Sequence, residues 1–154
     1  MYGKRVYVPW KNLADVRPSI QIIQQGKQKV SYLRSLRLVP NNQNDITITR
    51  RYERIDVLEQ PLYREIIKHN LPELRSEFDQ TGKLKFGKLL LTLQGIKKES
   101  NFYPWGSIRS IDIHEQRSII IRTLGQKDPK VIGSVQYTPR HFLLIDFVKE
   151  KIGS

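Results

Sequence analysis

The residues of this sequence that are best suited to chemistry are cations, and they fall into two sets. The lysine set consists of Lys83, Lys85, Lys88, Lys97 and Lys98, and the arginine set consists of Arg50, Arg51, Tyr52 and Arg54. Ammonium groups attract anionic headgroups, and an aromatic ring among cations stacks well on a nucleic-acid base. The lysine set therefore predicts binding to an anion such as a lipid headgroup, and the arginine set predicts contact with nucleic acid. As an alternative for the lysine set, alternate lysines simply line the solvent face of a strand and prevent edge pairing.

Residues that would form a catalytic or metal site do not occur in a suitable pattern. The sequence has no cysteine, and its three histidines fall on different predicted elements: His69, His114 and His141. Glu73 and Glu77 have helical spacing, but Arg75 lies between them, which favours a solvated helix face. Neither a nucleophile elbow nor a glycine-rich phosphate loop is present. The sequence therefore predicts a protein that is not an enzyme and needs no metal or cofactor.

The charge of the chain favours a polyanionic partner. The chain has 27 basic and 15 acidic residues, a net charge of +12 and a pI near 10.0. Residues 1–60 contain 11 basic and 5 acidic residues and the remainder contain 16 and 10, so each part carries +6. Such a field attracts nucleic acid, anionic lipid or acidic protein without choosing among them.

Several absences also indicate where the protein acts. Without cysteine, the chain has no disulfide framework. The apolar runs are far too short for a membrane-spanning helix, and no secretory signal is recognisable at Met1. The sequence therefore predicts a cytoplasmic protein, with peripheral membrane association as a further option.

The elements that must position the cations are mostly strands. Alternating and β-branched stretches predict strands at residues 4–10, 19–23, 30–38, 46–52, 83–91, 108–113, 117–122 and 131–137. Leu13 and Val16 have helix-like spacing or mark a short bend. A helix is predicted to start at Pro61 and to break at Pro72, because an interior proline removes a backbone hydrogen bond. A closing helix is predicted over residues 139–152.

Two segments of the chain share a proline-tryptophan signature. Pro9-Trp10 and Pro104-Trp105 are each followed by apolar residues three and six positions beyond the tryptophan, and later by a proline-started helix. This similarity predicts an imperfect tandem repeat with an incomplete unit at residues 1–79 and a fuller unit at 80–154. Because both tryptophans occupy the same repeat position, we expect them to pack in turns rather than to stack on a ligand.

The second segment resembles the pleckstrin-homology-like (PH-like) domains of bacterial proteins of unknown function. The resemblance rests on residues 82–89, Gly95-Ile96, Tyr103-Pro104-Trp105, Ile108 and Ile111, and the final helix. It covers residues 82–152 well and residues 10–71 partly. The resemblance implies a mainly β, α+β fold in which an antiparallel meander forms a partly open barrel capped by a C-terminal helix. It would place the lysine set, including a basic turn at Lys97-Lys98, near the mouth of that barrel.

The predicted function is that of a non-enzymatic adaptor or binding module. Its partner would be another protein or an anionic membrane surface. The alternative function is nucleic-acid binding through the distributed positive charge.

Overall fold

The structure, a computed structural model, describes residues 12–41, 43–49 and 55–153. Three strands and a long helix come first: β1 (Leu13–Gln25), β2 (Gln28–Pro40), β3 (Ile46–Thr49) and α1 (Ile55–Thr81). Four short strands follow: β4 (Lys83–Phe86), β5 (Leu89–Thr92), β6 (Gly95–Lys98) and β7 (Asn101–Pro104). After a 3-10 turn at Trp105–Ser107 come β8 (Ile108–His114), β9 (Ser118–Thr123), β10 (Lys130–Ser134) and α2 (His141–Ile152).

The described strands form three antiparallel sheets. Their strand orders are β1-β2-β3, β4-β5-β6-β7 and β8-β9-β10, and none of them closes into a barrel within the described part of the chain. The alternation of apolar and polar residues explains the sheets. Strand β4, for example, buries Leu84 and Phe86 and exposes Lys83 and Lys85. The predicted α+β class, mainly β with a C-terminal helix, is confirmed. Neither described helix is long and apolar enough to cross a membrane.

Strand β1 begins earlier than the predicted strand at residue 19. Its register shifts between Leu13 and Asp15, and Leu13, Asp15 and Val16 are all buried. Such a bulge places an extra residue in one strand and breaks the alternation of faces. The apolar spacing of Leu13 and Val16 therefore reflects a bulged strand rather than a helix. The predicted strand at residues 4–10, with Pro9 and Trp10, lies outside the described residues.

The same arrangement occurs at the start of β8. There the register shifts between Ile108 and Ser110. The residue before each bulged strand accepts a backbone hydrogen bond from the far end of the paired strand. These bonds run from Asn41 N–H to Asn12 O at 2.7 Å and from Leu124 N–H to Ser107 O at 2.8 Å. Two stretches separated by 95 positions thus share a bulge and a closing hydrogen bond.

Helix α1 is continuous from Ile55 to Thr81, so the predicted start at Pro61 and break at Pro72 are both wrong. Pro61 and Pro72 are exposed, whereas the buried face of the helix continues on both sides of them. Burial of that face outweighs the backbone hydrogen bonds that the two prolines cannot donate. The boundary predicted between residues 79 and 80 falls in the last turn of this helix.

Both segments of the chain contribute to one hydrophobic core. The Tyr63 ring of α1 stacks on Phe142 of α2 with centroids 4.4 Å apart, and Phe78 meets Phe147 edge-on at 5.1 Å. At the other side of the core, the side-chain oxygen of Gln136 accepts a hydrogen bond from Ile20 N–H at 3.0 Å. The first sheet, α1, α2 and the β8-β9-β10 sheet are therefore packed together.

Pro72→Ala should stabilise the protein, because it restores a helical hydrogen bond and removes a steric clash. An interior proline costs a helix about 3 kcal/mol, and part of this gain is offset by the greater freedom of the unfolded chain. We expect the free energy of unfolding to rise by about 2 kcal/mol, measured by urea denaturation. Pro61→Ala should change it in the same direction. A decrease for Pro72→Ala would show that the native helix needs an interruption at this position.

Asp15 connects the first sheet to the start of α2. Its carboxylate is buried and accepts hydrogen bonds from Val16 N–H at 2.8 Å and from Arg140 N–H at 3.1 Å. Arg140 precedes α2 with φ 52° and has no side-chain cap of its own. The Asp15 carboxylate therefore supplies an acceptor at the positive end of this helix.

Asp15→Ala should leave these two backbone donors without an acceptor. We expect a loss of about 2 kcal/mol in the free energy of unfolding, since a buried unpaired donor costs more than a hydrogen bond contributes. Asp15→Asn, which keeps one acceptor oxygen, should lie between the parent and the alanine variant. Asp112→Ala, at an exposed position on β8, is the control and should change stability little. Equal effects at Asp15 and Asp112 would contradict this role.

Candidate functional site

Three of the predicted lysines lie on one exposed sheet face. Strand register aligns Lys85 with Leu90, Leu90 with Lys97, and Lys97 with Phe102 across β4, β5, β6 and β7. Lys83 is two residues before Lys85 and so projects from the same side. We call Lys83, Lys85, Lys97 and Phe102 the lysine face. Phe102 is 47% exposed, so this surface combines positive charge with an accessible aromatic ring.

The remaining two lysines of the predicted set lie elsewhere. Lys97 and Lys98 form the end of β6 rather than a turn, and the turn is at Glu99 and Ser100. Because neighbours on a strand point to opposite sides, Lys98 shares its face with the buried Leu89, its partner across the sheet. Lys88 lies in the turn between β4 and β5. The prediction of one basic turn at Lys97-Lys98 is therefore wrong.

The charge of the lysine face is not neutralised by any ion pair among the described residues. Within residues 12–41, 43–49 and 55–153, ion pairs occur at other cations: Arg37, Arg75, Arg117, and the histidines His69 and His114. None of them involves Lys83, Lys85 or Lys97. The positive charge of this face is thus available to an external anion. The arginine set at residues 50–54 lies outside the described residues.

Trp105 has a packing role in the structure. Its indole Nε1–H donates to the carbonyl oxygen of Thr92 at 2.9 Å, and its backbone N–H donates to Gln94 O at 3.1 Å. These bonds tie the 3-10 turn to the β5–β6 turn. Gly95 permits this close approach, because a Cβ there would lie 2.1 Å from the carbonyl oxygen of Tyr103. The half-buried ring of Trp105 packs against the core, and Pro104 precedes it in extended conformation.

A groove of about 630 Å³ separates the first sheet and α1 from α2 and the β8–β9 turn. Its apolar lining is contributed by all of these elements: Ile20, Leu33, Ile67, Ile113, Val135, Phe142 and Ile145. Its polar lining comes mainly from the two helices: Asp56, Glu59, Gln60, Tyr63, Arg64, His141, Asp146 and Lys149, with Gln116 from the β8–β9 turn. We call this cavity the interhelical groove.

One part of the interhelical groove is acidic and poorly solvated. Burial raises the pKa of Glu59 above its ordinary value, and no charged neighbour in the described chain opposes that effect. The buried Tyr63 hydroxyl has no hydrogen-bond partner among the described residues. Burial, with the nearby Glu59 and Asp15 carboxylates, raises the pKa of this phenol. Tyr63 and Glu59 therefore form a polar position in a cavity of mixed polar and apolar lining.

Sequence reasoning missed the interhelical groove. Asp56, Glu59 and Tyr63 have the three- and four-residue spacing that places side chains on one helix face. That signal was hidden because the helix was predicted to begin only at Pro61. The opposite wall comes from α2, about 80 residues later in the chain, which no local pattern reveals.

Comparison with protein-family models gives a match over residues 7–150 to a model described as "Family of unknown function (DUF6585)". The chain belongs to the DUF6585 family. Comparisons with curated proteins and with solved structures gave no match. The family match spans both predicted units, because it includes the first sheet and α1 as well as the strands and the helix that follow them.

The buried ring of His141 predicts that this DUF6585 protein is sensitive to acid. Its ring is 1% exposed and meets the Tyr63 ring edge-on at 5.1 Å. Burial lowers the pKa of His141 from 6.5 to about 4. The folded state therefore prefers the neutral ring, and stability that is complete above pH 6.5 is lost as the pH falls towards 4.

His141→Phe should remove this component of the acid sensitivity. The lowered pKa corresponds to about 3 kcal/mol between pH 6.5 and 4. Between pH 6.5 and pH 4, the free energy of unfolding of the parent should fall by about 3 kcal/mol more than that of the variant. Urea denaturation at each pH measures this difference. If the free energy of unfolding changed with pH in the same way in both proteins, the assignment to His141 would be contradicted. Comparison of the two proteins removes the contribution of Asp15, whose raised pKa acts in the opposite direction.

Proposed function

We propose that the chain is a non-enzymatic binding module built from two unequal PH-like units. The order strand, strand, strand, helix occurs twice, as β1-β2-β3-α1 and as β8-β9-β10-α2. The shared bulge and closing hydrogen bond at the start of each order support a common origin. The first unit lacks a counterpart of β4-β5-β6-β7 among the described residues.

The order of elements in the second segment supports the PH-like part of this proposal. A four-stranded meander, a three-stranded meander and a terminal helix follow one another along residues 83–152. This is the order that the sequence resemblance implies. A fold alone does not define an activity, so the functional proposal depends on a surface.

That surface is the lysine face, and we propose that it docks on an anionic membrane. The observation that carries the proposal is a row of lysines beside the exposed Phe102, none of which forms an ion pair within the described part of the chain. Each lysine near an anionic leaflet contributes about 1 kcal/mol. An aromatic ring among these cations suits the boundary between headgroups and acyl chains. An acidic protein would use the charge but would have less need of the accessible ring.

The test is binding of the full chain to phosphatidylcholine vesicles with and without phosphatidylserine, measured by flotation. We expect binding only when phosphatidylserine is present. Lys85→Glu combined with Lys97→Glu should weaken it by at least about tenfold, since two attractions become repulsions. The matched control is Lys127→Glu with Lys130→Glu, which makes the same charge change at exposed positions near β10.

The other possible outcomes of the vesicle experiment would contradict the proposal in different ways. Equal losses for the two double variants would show that net charge alone causes binding and would overturn the role of the lysine face. Absence of binding to either vesicle would overturn the membrane proposal and leave a protein partner. Binding to random duplex DNA, but not to vesicles, with steep loss as salt rises would favour nucleic acid instead.

A further inference from the structure

We propose that the interhelical groove binds a small organic cation with an apolar body. This proposal is independent of the membrane function, because the groove and the lysine face are formed by different elements. It is supported by the shape of the cavity and by two groups, the Tyr63 hydroxyl and the Glu59 carboxylate, that have no partner among the described residues.

The cavity has the size and lining of a small-molecule site. Its volume of about 630 Å³ falls within the range of such sites, and seven of its sixteen lining residues are aliphatic or phenylalanine. It lies where the two proposed units meet, which is a common position for a binding cleft. The Tyr63–Phe142 stack forms a rigid part of the wall. An apolar ligand body would therefore replace water along the apolar part of this lining.

The Tyr63 hydroxyl indicates a polar contact with a ligand. The side chain is 4% exposed, lines the groove, and its oxygen has no hydrogen-bond partner within the described chain. A buried polar group without a partner destabilises a folded protein. An ammonium group in the groove would donate to this oxygen and remove that cost.

Glu59 determines the sign of the ligand charge. This carboxylate lines the groove next to Tyr63 on α1, and it makes no ion pair or hydrogen bond with another described residue. Of the two cations that line the groove, Lys149 interacts with Asp146, and neither Lys149 nor Arg64 affects the pKa of Glu59. An anionic ligand would be repelled by Glu59, whereas a cation would restore the interactions that this carboxylate loses on burial.

The proposal is tested by isothermal titration of the full chain with n-octylammonium, octanol and octanoate at pH 7. These probes have the same alkyl chain and differ in the charge of the polar end. We expect n-octylammonium to bind with a dissociation constant of about 1 mM or lower. Octanol and octanoate should bind at least about tenfold more weakly, because neither offers a cation to Glu59.

Two variants locate the site. Glu59→Gln should weaken n-octylammonium binding by about tenfold, and Tyr63→Phe by a few fold. Glu73→Gln is the matched control, since it makes the same change on an exposed part of α1 outside the groove. Without ligand, Tyr63→Phe should raise the unfolding midpoint, because it removes the unpaired hydroxyl and keeps the stacked ring. Weaker binding in a more stable protein would distinguish loss of a ligand contact from loss of structure.

Three results would overturn the proposal. They are the absence of saturable n-octylammonium binding, equal affinity for the three probes, and equal weakening by Glu59→Gln and Glu73→Gln. Equal affinity would show a simple hydrophobic cavity. None of these results affects the vesicle experiment, because Lys85 and Lys97 lie on the four-stranded sheet and do not line the groove.

Discussion

The burial of α2 is the constraint on which the rest of the structure depends. Seven of its twelve residues are buried, so the helix needs packing partners on more than one side. Strand β8 covers one side and α1 covers another. The aromatic pairs between the helices follow from this arrangement, as does the capping of α2 by Asp15. Neither proposed unit buries its apolar surface without the other.

The same packing produces the unusual chemistry of the interhelical groove. Where the two helices diverge, the core ends in groups that prefer water, namely the His141 ring, the Tyr63 hydroxyl and the Glu59 carboxylate. Burial disfavours the charged forms of His141 and Glu59. Proteins that sacrifice stability at particular positions commonly do so at functional sites. The lysine face has the opposite character, since its cations are solvated and its strands need no ligand for stability.

The sequence predicted the sheets of the second segment and the closing helix well, because those elements follow simple alternation or helical spacing. The stretch 83–91, predicted as one strand, proved to be two strands joined at Gly87 and Lys88. Local rules failed where tertiary packing outweighed them. Helix α1 continues through Pro72 because the buried face of the helix extends on both sides of this residue. Leu13 and Val16 have helix-like spacing because β1 contains a bulge between them.

The candidate surfaces were predictable to different degrees. The placement of Lys83 and Lys85 on one side of a strand was predictable, since strand alternation is visible in a sequence, whereas Lys97 was predicted to lie in a turn and instead lies on β6. The separation of Lys97 from Lys98 required the positions of the strand ends. The interhelical groove was inaccessible to sequence reasoning, because its walls come from segments that begin near residue 20 and end near residue 149.

The bond between Asp15 and Arg140 has a consequence for how the protein acquires its structure. It joins residues 125 positions apart, and the contact of Ile20 with Gln136 spans 116 positions. Contacts of such long range slow folding, because a large loop must close before the interaction forms. During synthesis, the first sheet and α1 emerge well before the helix that covers them. Their apolar surfaces therefore stay exposed in the nascent chain, which makes this stage the one most vulnerable to aggregation.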